Sequence, residues 1–157
     1  MKKIIIMQGV PGSGKSTWAK EEAARTGGTI VSADHWFERS GEYRFDPSQL
    51  GQAHAACFRA FLERLHAWKG QINGTLIVDN TNTRPAELSP YFLAASALAP
   101  DADVFVLRVL CDPEVAAARC THGVPLFRIQ AMDKAIHSTS HEYLPSWKVR
   151  VLGKEDV

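Results

Sequence analysis

The sequence predicts an α/β fold, a parallel sheet of about five strands with helices on both faces. Three observations carry this. Short apolar, β-rich runs alternate with stretches of helical periodicity along the chain. The first run, Ile4-Ile5-Ile6-Met7, is apolar without alternation, as a strand covered on both faces must be. Finally, Gly9, Asp34 and Asp79-Asn80 each come just after such a run ends, and in open parallel sheets ligands bind at the carboxyl ends of the strands.

Taken in order, residues 4–7 form the first strand, and a helix starts at Lys15 and runs to about residue 25. Residues 29–32 are the second strand. The stretch 37–45 is polar and glycine-containing, which predicts a loop. Asp46-Pro47-Ser48-Gln49 then offers a capping residue, a proline at the first helical position and a box-closing glutamine. Leu50, Ala53, His54, Cys57, Phe58, Phe61, Leu62 and Leu65 follow at helical spacing on one face. Residues 74–79 are the third strand, and Leu88, Tyr91, Phe92 and Ala95 mark the next helix. Residues 104–110 are the fourth strand. Asp112-Pro113 caps a short helix ending near Arg119, Ile129, Met132 and Ile136 mark another, and 148–152 is the fifth strand.

With 157 residues the chain has the length of a single domain, 1–157, able to bury its own core. Hydrophobic residues make up 45% and charged residues 22%, which excludes a disordered chain. The net charge of +1 gives no global case for nucleic acid and leaves only local basic patches. Cys57, Cys111 and Cys120 are odd in number and lack metal-type spacing, so they read as reduced thiols in a cytoplasmic protein, with Cys57 and Cys111 in the core. The N-terminus is not a signal peptide, because its apolar run stops at Gln8. No run is long enough to span a membrane.

The strongest chemical signal is Gly9-Val10-Pro11-Gly12-Ser13-Gly14-Lys15-Ser16, placed between a strand and a helix. Glycines let backbone amides turn inward around a phosphate, and the following helix points its positive end at the same group. Lys15 can reach the transferring phosphate and Ser16 can ligate magnesium. Gly9, Pro11, Gly12, Ser13, Gly14, Lys15, Ser16 and Thr17 are the expected phosphate-binding set, for ATP with Mg2+ in a P-loop NTPase fold. The same loop serves kinases, motors and switches, so it leaves the reaction open.

Asp34 would sit beside the transferring phosphate, as base for an acceptor hydroxyl or as a magnesium ligand; the alternative is a carboxylate capping a turn. Asp79 fits the metal-supporting acid after an apolar strand. Asn80, Thr81 and Asn82 offer hydrogen bonds to an acceptor or a phosphate, or else form a strand-end turn. Where one helix breaks and another starts, Arg119 is the first candidate for a cation closing on the phosphates, followed by His122 and Arg128; the alternative for each is a solvated helix-end cation. Trp36 and Phe37 read as packing residues and His54 as a core histidine. Gly153 and Lys154 follow the last strand and are expected near the base.

Pro11 through Ala19, then Ser32-Ala33-Asp34, then Asp79-Asn80-Thr81-Asn82, then Arg119 with His122-Gly123-Val124-Pro125 resemble the polynucleotide-kinase-like branch of P-loop kinases. The resemblance spans nearly the whole chain. It extends to a subgroup, including a domain of ubiquitin-ligase-binding proteins, with the pattern Gly41-x-Tyr43-x-Phe45-Asp46, Ala53-His54 and His122-Gly123-Val124-Pro125. It implies ATP and magnesium at Lys15 and Ser16, Asp34 as general base and a lid around Arg119. It also implies an acceptor at a 5′-hydroxyl RNA or DNA end. Two departures stand out. Phe37 occupies a position where phage polynucleotide kinase has an acceptor-gripping arginine, which Arg39 or Arg44 would have to replace, and Asn80 stands where that enzyme has an aspartate. Three readings remain: a polynucleotide kinase, a small-molecule kinase for a nucleoside, sugar or antibiotic, and a module that binds ATP without transfer.

Overall fold

Strand β1 (Lys2–Gln8) is the spine of the sheet, because it carries apolar side chains on both sides. Ile4, Ile5, Ile6 and Met7 are all fully buried. It lies parallel between β3 (Gly74–Val78) and β4 (Asp103–Val109). The computed structural model, which describes residues 1–153, completes the sheet with β2 (Thr29–Val31) outside β3 and β5 (Lys148–Leu152) outside β4. All pairings are parallel, in the order β2-β3-β1-β4-β5. Lys154 lies outside the described residues.

Alternation along β1 divides the core between the two faces. Ile5 and Met7 meet Ile77, Phe105 and Leu107 under Ala19 of α1 (Lys15–Thr26). Ile4 and Ile6 face the other way, toward α3 (Leu50–Ala67) and α4 (Pro85–Leu98). There Phe61 is fully buried, edge-on to Tyr91 with ring centroids 5.0 Å apart. A third cluster joins Val10, just past β1, to Ala116 of α5 (Pro113–Arg119) and Ile129 and Ile136 of α6 (Leu126–Ser138). The helical hairpin α5–α6 is thus packed directly against the glycine-rich loop. Cys57 is buried as expected, whereas Cys111 is half-buried beside this third cluster.

Three local readings need correction. The segment 37–45 is not all loop: a short helix, α2 (Asp34–Glu38), runs into it, because Phe37 buries its ring in the α3–α4 core. The Asp46 cap exists, with its carboxylate accepting from the Ser48 amide at 2.9 Å, but it caps a 3-10 turn (Pro47–Gln49) that precedes α3. Gln49 closes no box there; its amide donates to Asp46, and its oxygen accepts from the Trp36 indole at 2.9 Å. His54 is exposed rather than core. The buried stripe of α3 steps through Ala53, Cys57, Phe61 and Leu65, four residues apart, and His54 lies about 100° around the helix from Ala53.

Replacing Phe61 by alanine leaves a void under both α3 and α4. The expected loss is about 3–5 kcal/mol, read as a lower urea midpoint with an unchanged slope.

Candidate functional site

The loop between β1 and α1 is shaped by contacts that no side chain could share. Gly12 has φ +80°, and a Cβ there would lie 2.0 Å from the Ala116 carbonyl oxygen in α5. Gly14, with φ 98°, caps α1. The Ser13 amide donates to the Val10 carbonyl at 3.2 Å, closing the turn. Lys15 is folded back over this turn: it is only 6% exposed, and its Nζ donates to the Val10 carbonyl at 2.8 Å. Burial pushes the ammonium down from 10.5 to about 8, and the Asp79 and Asp34 charges offset part of that. The Ser13 hydroxyl is buried without a hydrogen-bond partner among the described residues.

Backbone hydrogen bonds lock the neighbouring strand ends to this loop. The Gly9 amide donates to the Thr81 carbonyl at 3.1 Å, and the Asp79 amide to the Val31 carbonyl at 2.9 Å. Ser32 Oγ donates to the Asp79 carbonyl at 2.8 Å, and the Ala33 amide to Asn80 Oδ1 at 2.9 Å. Asp34, the first residue of α2, and Asp79 are therefore held on adjacent strand ends, and both charges act on Lys15.

A cavity of about 730 Å³ opens above these residues. Pro11, Gly12, Gly14, Lys15, Ser16 and Thr17 form its floor, and Asp34 and Asp79 line it. Arg119, His122 and Arg128 line it from the α5–α6 side. Gly9 and Ser13 are not on its wall; they are buried behind the loop, where Gly9 passes close to the Val109 carbonyl. Asn80 and Asn82 are buried, with amides committed to the scaffold. Asn80 donates to Cys57 Sγ and the Tyr91 hydroxyl, both at 3.4 Å, and Asn82 to the Met7 carbonyl at 2.7 Å. Asn80 still lines the cavity, as does Thr81.

One wall was not predicted as such. Tyr43, Phe45, Leu50 and His54 face the same cavity. The Tyr43 hydroxyl donates to Asp34 Oδ1 at 3.4 Å, and its ring stacks on His122, centroids 4.2 Å apart and planes within 10°. Burial, then the neighbouring Asp34 charge, pushes the Tyr43 phenol up to about 12. The signal for this wall lay in the subgroup pattern, whose separate segments meet here. Phe37 is buried beneath it, against Tyr43 and Phe45, as the packing reading expects. Arg39 lies over the Trp36 ring at 4.1 Å, and Arg44 pairs with Glu42 at 3.1 Å; neither lines the cavity.

A family model described as an AAA domain matches residues 4–122. Human NEDD4-binding protein 2 is 36% identical over 89 residues, covering 56% of this chain but only 5% of that protein's length. A chain of the Pnkp1/Rnl/Hen1 RNA repair complex superposes over 91% of this chain and 46% of its own, with TM-score 0.68 and 18% identity. A sugar kinase from Janibacter sp. does so over 98% and 86%, with TM-score 0.59 and 18% identity. At such identities the likeness of the structures speaks for the fold.

Lys15 yields a sign-defined prediction. Below pH 8 its charge is buried at full cost; above 10.5 neither the folded nor the unfolded chain carries it, so its contribution to stability rises with pH across that window. Lys15→Met, which keeps the volume and removes the charge, should stabilise the ligand-free protein at pH 7 by about 3 kcal/mol at most. The gap should close as pH approaches 10.5. Urea melts of both proteins at several pH values check this, and a variant less stable than its parent at pH 7 would overturn it.

Proposed function

Because this chain belongs to the AAA domain family and has the fold of P-loop kinases, we propose that it transfers the γ-phosphate of ATP to a hydroxyl, that of a polynucleotide 5′ end. Residues 1–157 act in this reading as one kinase-like unit in the cytoplasm; among the described residues no helix is long and apolar enough to cross a membrane. The observation that carries the proposal is the shared cavity of Lys15, the loop and Asp34. A carboxylate beside the phosphate-binding floor has a use when the acceptor must lose a proton.

The loop from Gly9 to Thr17 cradles the phosphates, and Lys15 neutralises the transferring one. A phosphate restores a partner to a cation that burial has left costly, which favours the charged form on binding. Asp34 takes the acceptor proton, oriented by the Tyr43 hydroxyl. Arg119, with His122 and Arg128, closes from α5–α6. Magnesium, when bound, neutralises charge on the phosphate oxygens. The residues present fit it: Ser16, Asp34 and Asp79 are hard oxygen donors on one cavity. Among the described residues no group of three His, Cys, Asp or Glu side chains could hold a metal alone. The ion would therefore depend on the nucleotide's oxygens as well.

A small-molecule acceptor is the second reading, favoured by the net charge of +1 and by a largely apolar wall of Tyr43, Phe45 and Leu50.

The test is transfer from γ-labelled ATP with magnesium to matched 5′-hydroxyl and 5′-phosphate oligonucleotides. Label should enter only 5′-hydroxyl ends. Asp34→Asn should lower kcat by about 10²–10⁴-fold, and Lys15→Met should abolish transfer. Mg-ATP at a hundredfold its Kd should raise the parent's stability by about 2.7 kcal/mol, an effect lost in Lys15→Met. Nucleotide stabilisation without transfer to any oligonucleotide would refute the polynucleotide acceptor and leave a metabolite screen to find a small one.

A further inference from the structure

The stack of Tyr43 on His122 joins two parts of the cavity wall that lie far apart in the chain. Tyr43 belongs to the segment that follows β2 and α2, and His122 to the turn between α5 and α6, which follow β4. In the sheet, β3 and β1 separate β2 from β4. The stack therefore bridges elements on either side of the strand that carries the glycine-rich loop.

The two rings are unequally supported. Tyr43 is half-buried. Its ring meets that of Phe37 edge-on, centroids 6.1 Å apart, and Phe37 is buried in the core. Its hydroxyl is tied to Asp34. His122, by contrast, is exposed. On either side of it Cys120 and Val124 pack on the cluster of Val10, Ala116, Ile129 and Ile136, so the turn is anchored at its ends and projects between them. At its tip, Gly123 has φ +68°, and a Cβ there would meet open space. Tyr43 is thus the fixed partner and His122 the one that is held. Arg119, three residues before His122 at the end of α5, lines the same cavity. A turn that is ordered only when a ligand arrives loses its entropy at the binding step, and holding it beforehand removes that loss.

We propose that Tyr43 is a positioning residue for nucleotide binding: by stacking on His122, its ring holds the α5–α6 turn and its cations in place before a nucleoside triphosphate enters. This role rests on the phosphate-binding reading of the loop and deepens it. It also gives Tyr43 two separable tasks. The hydroxyl serves Asp34, and the ring serves the nucleotide through His122.

Equilibrium binding of non-hydrolysable Mg-adenylyl imidodiphosphate tests this without turnover. Tyr43→Ala should weaken binding roughly two- to tenfold, the worth of one aromatic pair. Tyr43→Phe keeps the ring, gives up the bond to Asp34 and should bind the nucleotide like the parent. Tyr43→Leu keeps apolar bulk against Phe37 without a ring; it should behave like Tyr43→Ala and replaces it if the smaller side chain unfolds the segment. In a His122→Ala background, Tyr43→Ala should change nothing further. In His122→Phe, where a ring again faces Tyr43, its effect should return. NMR of the ligand-free protein gives a reading independent of nucleotide. The facing ring should shift the His122 ring protons upfield in the parent and in Tyr43→Phe, and the shift should vanish in Tyr43→Ala. Unchanged affinity in Tyr43→Ala, an equal loss with and without the His122 ring, weakened binding in Tyr43→Phe, or no upfield shift in the parent would each overturn the role. A parent that shows the shift but binds no nucleotide would overturn the phosphate-binding reading, and the role with it. Failure of γ-phosphate transfer with nucleotide binding intact would count against the kinase reading alone.

Discussion

The polar ladder across the strand ends is the interaction on which the site depends. Gly9 is tied to Thr81, Asp79 to Val31, Ser32 to Asp79 and Ala33 to Asn80. These bonds are short-range, yet they join three strands that are remote in sequence. They fix the floor of the cavity relative to both acids. Asn80 is central, because one amide side chain holds the entrance to α2 and also reaches Cys57 and Tyr91 in the core. A buried amide with its donors and acceptor engaged gives the site a rigid base.

Against that frame the fold tolerates a local cost. Lys15 is buried with a backbone carbonyl as its hydrogen-bond partner, and Ser13 hides a hydroxyl with none among the described residues. Groups left this way in a well-packed protein concentrate where a ligand is to complete them. The cost is offset elsewhere, in the unbroken apolar run of β1 and the aromatic contacts of Phe61, Phe58 and Tyr91. Packing of α5 on the loop, with Gly12 against the Ala116 carbonyl, couples the floor to the cationic wall. Any rearrangement of α5–α6 would be felt at the loop.

The wall of Tyr43, Phe45, Leu50 and His54 follows a different logic. It is assembled by tertiary packing: Phe37 anchors the segment after α2, and Tyr43 is held between Asp34 and His122. A glycine-containing polar stretch reads as a loop from composition, and most of it is one. The helical part escaped notice because five residues are too few to show a period. His54 was misplaced for a related reason: apolar spacing identifies a face, but not which residues at its margin meet the core and which look into a cavity.

The sequence by itself determined the sheet, its parallel sense, the glycine-rich loop after β1 and the two acids beside it. Each of these is written in short-range pattern: apolar runs, glycine spacing, and polar residues where a strand must end. Only the tertiary structure decided which polar residues are spent on the scaffold, as Asn82 is, which face the cavity, as Thr81 and His54 do, and that Asn80 does both. It alone brought Tyr43 to His122. The physical reason is that a side chain's partner is set by which strand ends and helices pack together, and that depends on contacts between residues far apart in the chain.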